Sequence, residues 1–325
     1  MIECKQCILT SKDDENLSLD EYGICNYCNN YRSRFNELGD KNEKTAYINK
    51  KISEVKSNGS NNKYDCVIGL SGGVDSSYMA YWLCERGLRP LVIHLDNGWN
   101  SELAVQNIQN ICEKLGLDLY TYVIEWEEFK KLQLAYLKAS VVDIEVLTDH
   151  AIKAITMKMA KKYKIKYLFS GFNLATEAVM IKGWTFDKSD FVNIKDIVKI
   201  NGGIKKFRSY PKITFFQKLF FMLTFKMESI HVLNYIDYNK DQVKRVLKDK
   251  LGWIDYGGKH HESLFTKFYQ SYILPEKFKI DKRKVHLSNL ICSNQITKTL
   301  AKDLISLPLY NKDELMERID SLLSE

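Results

Sequence analysis

The chain has 325 residues, of which 45% are hydrophobic, and its 48 Lys and Arg exceed its 41 Asp and Glu to give a formal charge of +7. That apolar content excludes global disorder. The mild basic surplus suits an anionic ligand, but no basic tail or stripe stands out that would by itself argue for nucleic acid.

No apolar run reaches membrane-spanning length, since Ile213–Phe225 is short and contains Lys218. The opening MIECKQCILT has no basic segment before an apolar one, as a secretory signal would. The expectation is a cytoplasmic protein with no membrane span and no nucleic-acid partner.

Eight cysteines are present, but four fall in the first 28 residues as two Cys-x-x-Cys pairs and the others are scattered singly. Cys4 and Cys7 are separated from Cys25 and Cys28 by 17 residues, within the spacing of a four-thiolate site. Each pair closes a tight turn, and two such turns complete a tetrahedron. A rubredoxin-type iron site or a redox pair shares this spacing. Structural zinc is the expectation, because all four positions are filled and the polar segment SKDDENLSLDEYG cannot build a core.

Next along the chain, Tyr31–Lys56 is charged and helix-permissive, with Phe35, Leu38, Ile48, Ile52 and Val55 as packing residues. The polar stretch Ser57–Lys63 reads as a linker. Strands are then expected at Tyr64–Leu70, Leu91–Leu95, Leu117–Ile124 and Lys166–Ser170, with a fifth at His231–Tyr238. Helices are expected at Asp75–Arg86, Glu102–Leu115, Trp126–Ser140, Asp143–Lys162 and Lys240–Lys250. Short apolar strands alternating with helices imply a doubly wound parallel sheet of the α/β class. Lys182–Ser229 has no assignable pattern, and within it the aromatic, Met-rich Phe215–Met227 is expected to be core unless a partner covers it.

Ser71-Gly72-Gly73-Val74-Asp75-Ser76-Ser77 follows the first strand and opens a helix, where an open parallel sheet binds its ligand. Gly72 and Gly73 permit a sharp turn that presents successive amides to an anion. Ser71, Ser76 and Ser77 add hydroxyls, and the helix N-terminus favours negative charge. Asp75 suits a helix cap or a hand in holding Mg²⁺. The loop has no Lys and fails the Walker pattern, and it also lacks the dinucleotide fingerprint.

SGGVDSS resembles the pyrophosphatase loop of the PP-loop ATP pyrophosphatases, a Rossmann-like superfamily. The resemblance implies ATP and Mg²⁺ as cofactors and cleavage to AMP and pyrophosphate through an adenylylated substrate oxygen. It further implies that Asp96, in LDNGW at the end of the second strand, lies where adenosine is held. Gly171, Asn173 and Glu177, after the fourth strand, resemble the segment near the α-phosphate.

A closer resemblance, over the whole chain, is to the N-acetyl sugar amidotransferases of surface-polysaccharide and nonulosonic acid pathways. It rests on the paired cysteines with GICNYC, on the loop, and on Gly252–Gln270 and Phe278–Thr297. It implies conversion of a sugar acetamido group to an acetamidino group on a nucleotide-activated N-acetyl sugar. Ammonia is implied to come from a glutaminase subunit with a barrel-type, cyclase-like partner.

In Gly-Gly-Lys-His-His-Glu, taken without the resemblance, a solvated turn entering a helix is the simpler reading. The resemblance makes Lys259 the lysine that stabilises developing phosphate charge, His260 a base for the attacking ammonia and Glu262 its orienting group. Tyr256, Gly258 and His261 become substrate contacts, as do Lys282 and Arg283 of the basic run Lys277–Lys284, which an exposed helix face explains equally well. Cys292 reads as packing. The rival is a tRNA-modifying enzyme using the same adenylylation, against which stands the lack of any cysteine between Cys112 and Cys292. The expected partition is a zinc knuckle at 1–30, a helical segment and linker at 31–60, the ATP pyrophosphatase domain at 61–250 and a small, mainly helical substrate region at 251–325.

Overall fold

The computed structural model describes residues 1–257 and 262–310. Five strands form one sheet: β1 Cys66–Gly69, β2 Pro90–Asp96, β3 Leu119–Val123, β4 Tyr167–Phe169 and β5 Glu228–Ile230. All neighbours pair in parallel, in the order β3-β2-β1-β4-β5. This is the doubly wound α/β sheet that the alternating pattern implied. β1 lies at the centre and is wholly apolar and buried until Gly69, whereas β3 shows the alternating exposure of an edge strand.

The order of connections reverses between β1 and β4, and the carboxyl ends of these two strands flank the switch point where such sheets bind ligands. Asp65 fixes the start of β1. Its buried carboxylate takes the Arg89 backbone amide at 2.8 Å and the guanidinium at 2.6 Å, and the same guanidinium reaches the Gly59 carbonyl at 2.9 Å.

The helices lie close to the expected spans, at Val74–Glu85, Glu102–Leu115, Trp126–Ala139, Val146–Lys162 and Lys240–Leu251. Three expectations need correction. The helix-permissive stretch Tyr31–Lys56 falls in two helices, Asn26–Asn36 and Lys41–Gly59, and Phe35, expected to pack, is exposed. The second begins in a capping box of Asp40 and Glu43 and runs into the expected linker as far as Gly59, where a Cβ would lie 2.3 Å from the Asp65 carboxylate.

The fifth strand is Glu228–Ile230 rather than His231–Tyr238, whose Val232–Asn234 turns as a 3-10 helix. The backbone of Glu228–Ile230 completes the ladder on β4, with Tyr167 opposite Glu228 and Phe169 opposite Ile230. Finally, Phe215–Met227 is a short helix, Phe215–Phe220, with a π turn, Phe221–Phe225. Only Phe221 is fully buried there, against Ala154 and Ile213.

Contacts group the chain differently from its order in sequence. Among the described residues, one unit, containing the sheet, lies within Gly39–Phe172 and Gly183–Ser263; the other comprises Met1–Leu38, Asn173–Lys182 and residues 264–310. In the second unit the N-terminal turns, closed by bridges Glu3–Thr10 and Leu19–Cys25, pack on helices Arg283–Cys292 and Lys298–Ser306. Ile8, Ile291 and Ala301 form the shared core. Lys284 pairs with Asp13 at 2.5 Å, and Lys298 donates to the Cys4 carbonyl at 2.5 Å. Buried Asn289 reads both edges of the Val179 peptide, accepting its amide at 2.6 Å and donating to its carbonyl at 2.9 Å.

Candidate active site

The loop after β1 has the geometry of an anion cradle. Gly72 sits at φ +78°, and a Cβ there would lie 2.5 Å from the Ala104 carbonyl oxygen, so only glycine fits. The first intrahelical bond runs from the Ser77 amide to the Gly73 carbonyl at 3.0 Å, which leaves the amides of the first turn directed out of the helix end. Ser71 and Ser76 brace the turn: their hydroxyls lie 3.2 Å apart, Ser71 Oγ accepts from the Gly73 amide, and Ser76 Oγ accepts from the Ser71 amide. The Ser77 hydroxyl is fully buried under the loop and has no hydrogen-bond partner among the described residues.

Residues 253–256 clamp this loop from above. Trp253 Nε1 donates to the Gly72 carbonyl at 2.8 Å. Asn107, on the helix after β2, exchanges two bonds with the Ile254 peptide, at 2.7 and 2.8 Å. Tyr256 accepts from the Val74 amide, and its hydroxyl lies 3.1 Å from where a Cβ on Gly73 would stand. Burial, followed by the negative charges of Glu262 and Asp75, pushes the Tyr256 phenol far above its ordinary pKa.

Three carboxylates, Glu262, Asp75 and Asp255, thus bear on one hydroxyl beside the phosphate loop, a donor set that suits a divalent cation or an ammonium. Asp75 also takes a hydrogen bond from Tyr238. The Glu262 carbonyl accepts from the Ser101 amide at 2.8 Å, which ties that segment to the neighbouring helix end.

Asp96 closes β2 and caps the following turn, accepting from the Gly98 amide at 3.0 Å and from Asn100 at 3.1 Å. Beneath it His94 is buried and neutral. Its Nδ1 donates to the Leu70 carbonyl at 3.0 Å and its Nε2 accepts from Asn100 at 3.2 Å, while burial lowers its pKa. Gly171 packs against the loop helix, where a Cβ would lie 3.2 Å from the Ser76 amide nitrogen. A cavity of about 440 Å³ opens at the same strand ends, bordered by Gly69, Phe169 and Gly171, with Lys153, Lys218 and Met227 across from them. Burial and the neighbouring Lys218 ammonium lower the Lys153 pKa.

The sheet unit therefore brings together Ser71, Gly72, Gly73, Asp75, Ser76, Tyr256 and Glu262, with Asp96 and Gly171 at neighbouring strand ends. Asn173 and Glu177 belong to the other unit, where Asn173 caps a short helix by accepting from the Thr176 amide at 3.0 Å. Lys282 and Arg283 belong to that unit too. The Arg283 guanidinium is engaged by Asp281 at 2.8 Å and by the Ile305 and Leu307 carbonyls at the end of helix Lys298–Ser306, at 3.1 and 2.8 Å. Gly258, Lys259, His260 and His261 lie outside the described residues. Sequence reasoning missed Trp253, Asn107 and Tyr238; a buried aromatic at a chain turn carries no local mark of the carbonyl it serves.

In the second unit Cys4, Cys7, Cys25 and Cys28 are all buried, with every sulfur within 4.8 Å of the others. The Cys4–Cys28 and Cys7–Cys25 sulfurs are 3.9 and 3.7 Å apart. A tetrahedral zinc with bonds of about 2.3 Å would set its sulfurs about 3.8 Å apart. The amides of Cys7 and Cys25 donate to Cys4 Sγ at 3.4 and 3.3 Å, as suits a thiolate. The cluster therefore fits a four-thiolate metal. Cys292 does more than pack, since its sulfur lies 3.5 Å from Cys28 Sγ.

A family model described as NAD synthase matches residues 42–186, and one described as "LPS biosynthesis protein WbpG-like, C-terminal domain" matches residues 262–325. Among curated proteins, the chain is similar to a tRNA(Ile)-lysidine synthase of Chlamydia pneumoniae, 34% identical over 19% of this chain and 20% of that protein. It is also similar to the tRNA-specific 2-thiouridylase MnmA 2 of Fusobacterium nucleatum, 29% identical over 34% of each. The chain thus spans only about a fifth to a third of the length of these relatives. Among solved structures, an NH3-dependent NAD synthetase from Campylobacter jejuni aligns at a TM-score of 0.32 and 16% identity, over 66% of this chain and 94% of that one. The sheet order, the loop and the two family models converge: the chain carries a PP-loop ATP pyrophosphatase domain, followed by a segment that matches the WbpG-like C-terminal domain of lipopolysaccharide biosynthesis proteins.

Proposed function

We propose that the chain is an ATP-dependent amidotransferase acting on a nucleotide-activated N-acetyl sugar. The observation that carries this reading is the phosphate loop at the β1–β4 switch point, faced by Tyr256, Asp75 and Glu262, in a chain that ends in a WbpG-like segment.

An amide oxygen leaves poorly, so ammonia alone stalls at the acetamido carbon. In the proposed reaction that oxygen attacks the α-phosphorus of ATP and pyrophosphate departs. Ammonia then adds to the activated carbon, loses a proton, and expels AMP with the former amide oxygen. Charge develops on the pyrophosphate and α-phosphate, where the amides of the first helical turn and the hydroxyls of Ser71 and Ser76 receive it. ATP and Mg²⁺ are the expected cofactors; Asp75 would hold the metal, and Glu262 would orient the incoming ammonia.

Lys259 would stabilise phosphate charge and His260 would take the proton from ammonia. Tyr256, Gly258, His261 and Lys282 would contact the sugar nucleotide. Arg283, its fork already engaged, would act by holding the C-terminal helices together. Zinc held by the four cysteines would be structural, and ammonia would come from a glutaminase subunit with its barrel-type partner.

The test is a reaction with ATP, Mg²⁺, ammonium salt and a panel of UDP- and CMP-linked N-acetyl sugars. AMP formation that depends on one sugar, with oxygen exchanged for NH in its mass spectrum, supports the reading. The tRNA-acting relatives motivate a second arm. AMP that forms only with tRNA present would move the chain to that class.

A further inference from the structure

The segment Phe215–Leu223 exposes apolar surface that the sheet unit does not use. Phe215 is 69% exposed, Phe216 78%, Met222 61% and Leu223 64%. The opposite side of the same segment is anchored: Phe221 is buried with Ala154 and Ile213, and Phe225 and Met227 pack against them. The segment is therefore held in place with its aromatic and aliphatic face turned to solvent, which a folded surface rarely shows without a use.

Charge adds an independent observation. Between Asp196 and Glu228 the chain carries seven Lys and Arg and no acidic residue, as many charges as the whole formal surplus of +7. Among the described residues none of the seven forms an ion pair, and all but Lys218 are exposed. Of the nearby carboxylates, Glu128 is taken up by the backbone amides of Arg208, Ser209 and Tyr210 at 2.6 to 3.1 Å, and Asp187 feels the charge of Lys218 alone among the seven.

We propose that this face docks on an anionic lipid bilayer, with Phe215, Phe216, Met222 and Leu223 entering the headgroup boundary and the exposed lysines of the same stretch meeting lipid phosphates. Both signals needed for stable peripheral attachment, exposed apolar side chains and a run of exposed basic residues, fall in one stretch of the sequence. A protein interface depletes lysine and leaves its charges paired, whereas these form no ion pair among the described residues. A single-stranded nucleic acid would stack on the phenylalanines but makes no use of Met222 and Leu223.

The test is sedimentation of the full chain with phosphatidylcholine vesicles, with and without phosphatidylglycerol, across a salt series. Binding is expected only to the anionic vesicles and should weaken with salt. Phe215→Ser with Phe216→Ser should lower it roughly hundredfold. Lys205→Glu with Lys206→Glu should lower it about tenfold or more. Circular dichroism and melting show that each variant is folded, which the exposure of these side chains leads us to expect.

Failure of the wild-type chain to bind anionic vesicles at low salt overturns the proposal, as does unchanged binding by the folded Phe215/Phe216 variant. Salt-sensitive binding to tRNA without vesicle binding overturns it in favour of RNA. A dimer that the Phe215/Phe216 variant converts to monomer, with vesicles unbound, overturns it in favour of self-association. The readout is binding alone and stands whether or not the proposed reaction is correct.

Discussion

The indole of Trp253 donates to the carbonyl of Gly72 at 2.8 Å, 181 residues away in sequence, and this buried bond holds the turn of the phosphate loop. Gly72 can offer that carbonyl only because its left-handed backbone turns the peptide towards the helix Glu102–Leu115 and the segment above it. Replacing Trp253 by Phe should keep most of the packing and remove the bond. The expected cost is about 1–2 kcal/mol in urea denaturation, since a buried carbonyl loses its best donor. Weaker binding of a non-hydrolysable ATP analogue in calorimetry should accompany it.

Gly72 and Gly73 should respond unequally to alanine. At Gly72 the new Cβ meets backbone at 2.5 Å in a positive-φ conformation, whereas at Gly73 it meets the Ser71 and Tyr256 hydroxyls at 3.1 Å. Gly72→Ala should cost at least ~2 kcal/mol and lower AMP formation roughly hundredfold. Gly73→Ala should leave stability nearly unchanged and act mainly on ATP affinity. Equal effects on both measurements would contradict this account of the loop.

One zinc per chain is expected by elemental analysis. Chelation should release it and lower the melting temperature, because the N-terminal turns have little apolar surface of their own. Cys25→Ser should abolish retention. Cys292→Ala should keep the metal, since its sulfur contacts a ligand rather than completing the tetrahedron. Affinity should fall with pH as the thiolates protonate.

Asn289→Ala removes three buried backbone bonds, to both edges of Val179 and to the Val285 carbonyl. A loss of about 2–4 kcal/mol is expected, because the Val179 peptide is left without partners in the interior. Denaturant midpoints of the variant measure it.

His94 and His150 are both buried in the same way, Nδ1 donating to a carbonyl and Nε2 accepting from an N–H group. A proton added at Nε2 would face a donor, and burial depresses both pKa values. The native state then binds fewer protons than the unfolded chain at acid pH. Stability should therefore be level above neutrality and fall as pH drops below the unfolded value of about 6.5. Each histidine contributes a slope of up to about 1.4 kcal/mol per pH unit. Melting curves from pH 8 to 5, with His94→Gln removing one contribution, test this.

The central strands were legible because they are short apolar runs bounded by turn residues, and β1, β2 and β4 fall within three residues of their expected ends. β5 was misplaced because nothing in Glu-Ser-Ile marks a strand. Its identity comes from the free edge that β4 offers, while the more apolar His231–Tyr238 finds burial without pairing. Phe215–Met227 misled in the opposite sense: aromatic composition suggested core, but only one side of so short a helix can be covered.

The phosphate loop, the four cysteines and the alternating strands and helices are local patterns, in which neighbouring residues must act together on one ligand or one layer, so the linear chain displays them. Tyr256 and Glu262 at Gly73, the Trp253 clamp and the thiol of Cys292 at Cys28 join residues far apart in sequence. Only chain packing brings such groups within hydrogen-bonding distance, so these relationships were decided by the tertiary structure alone.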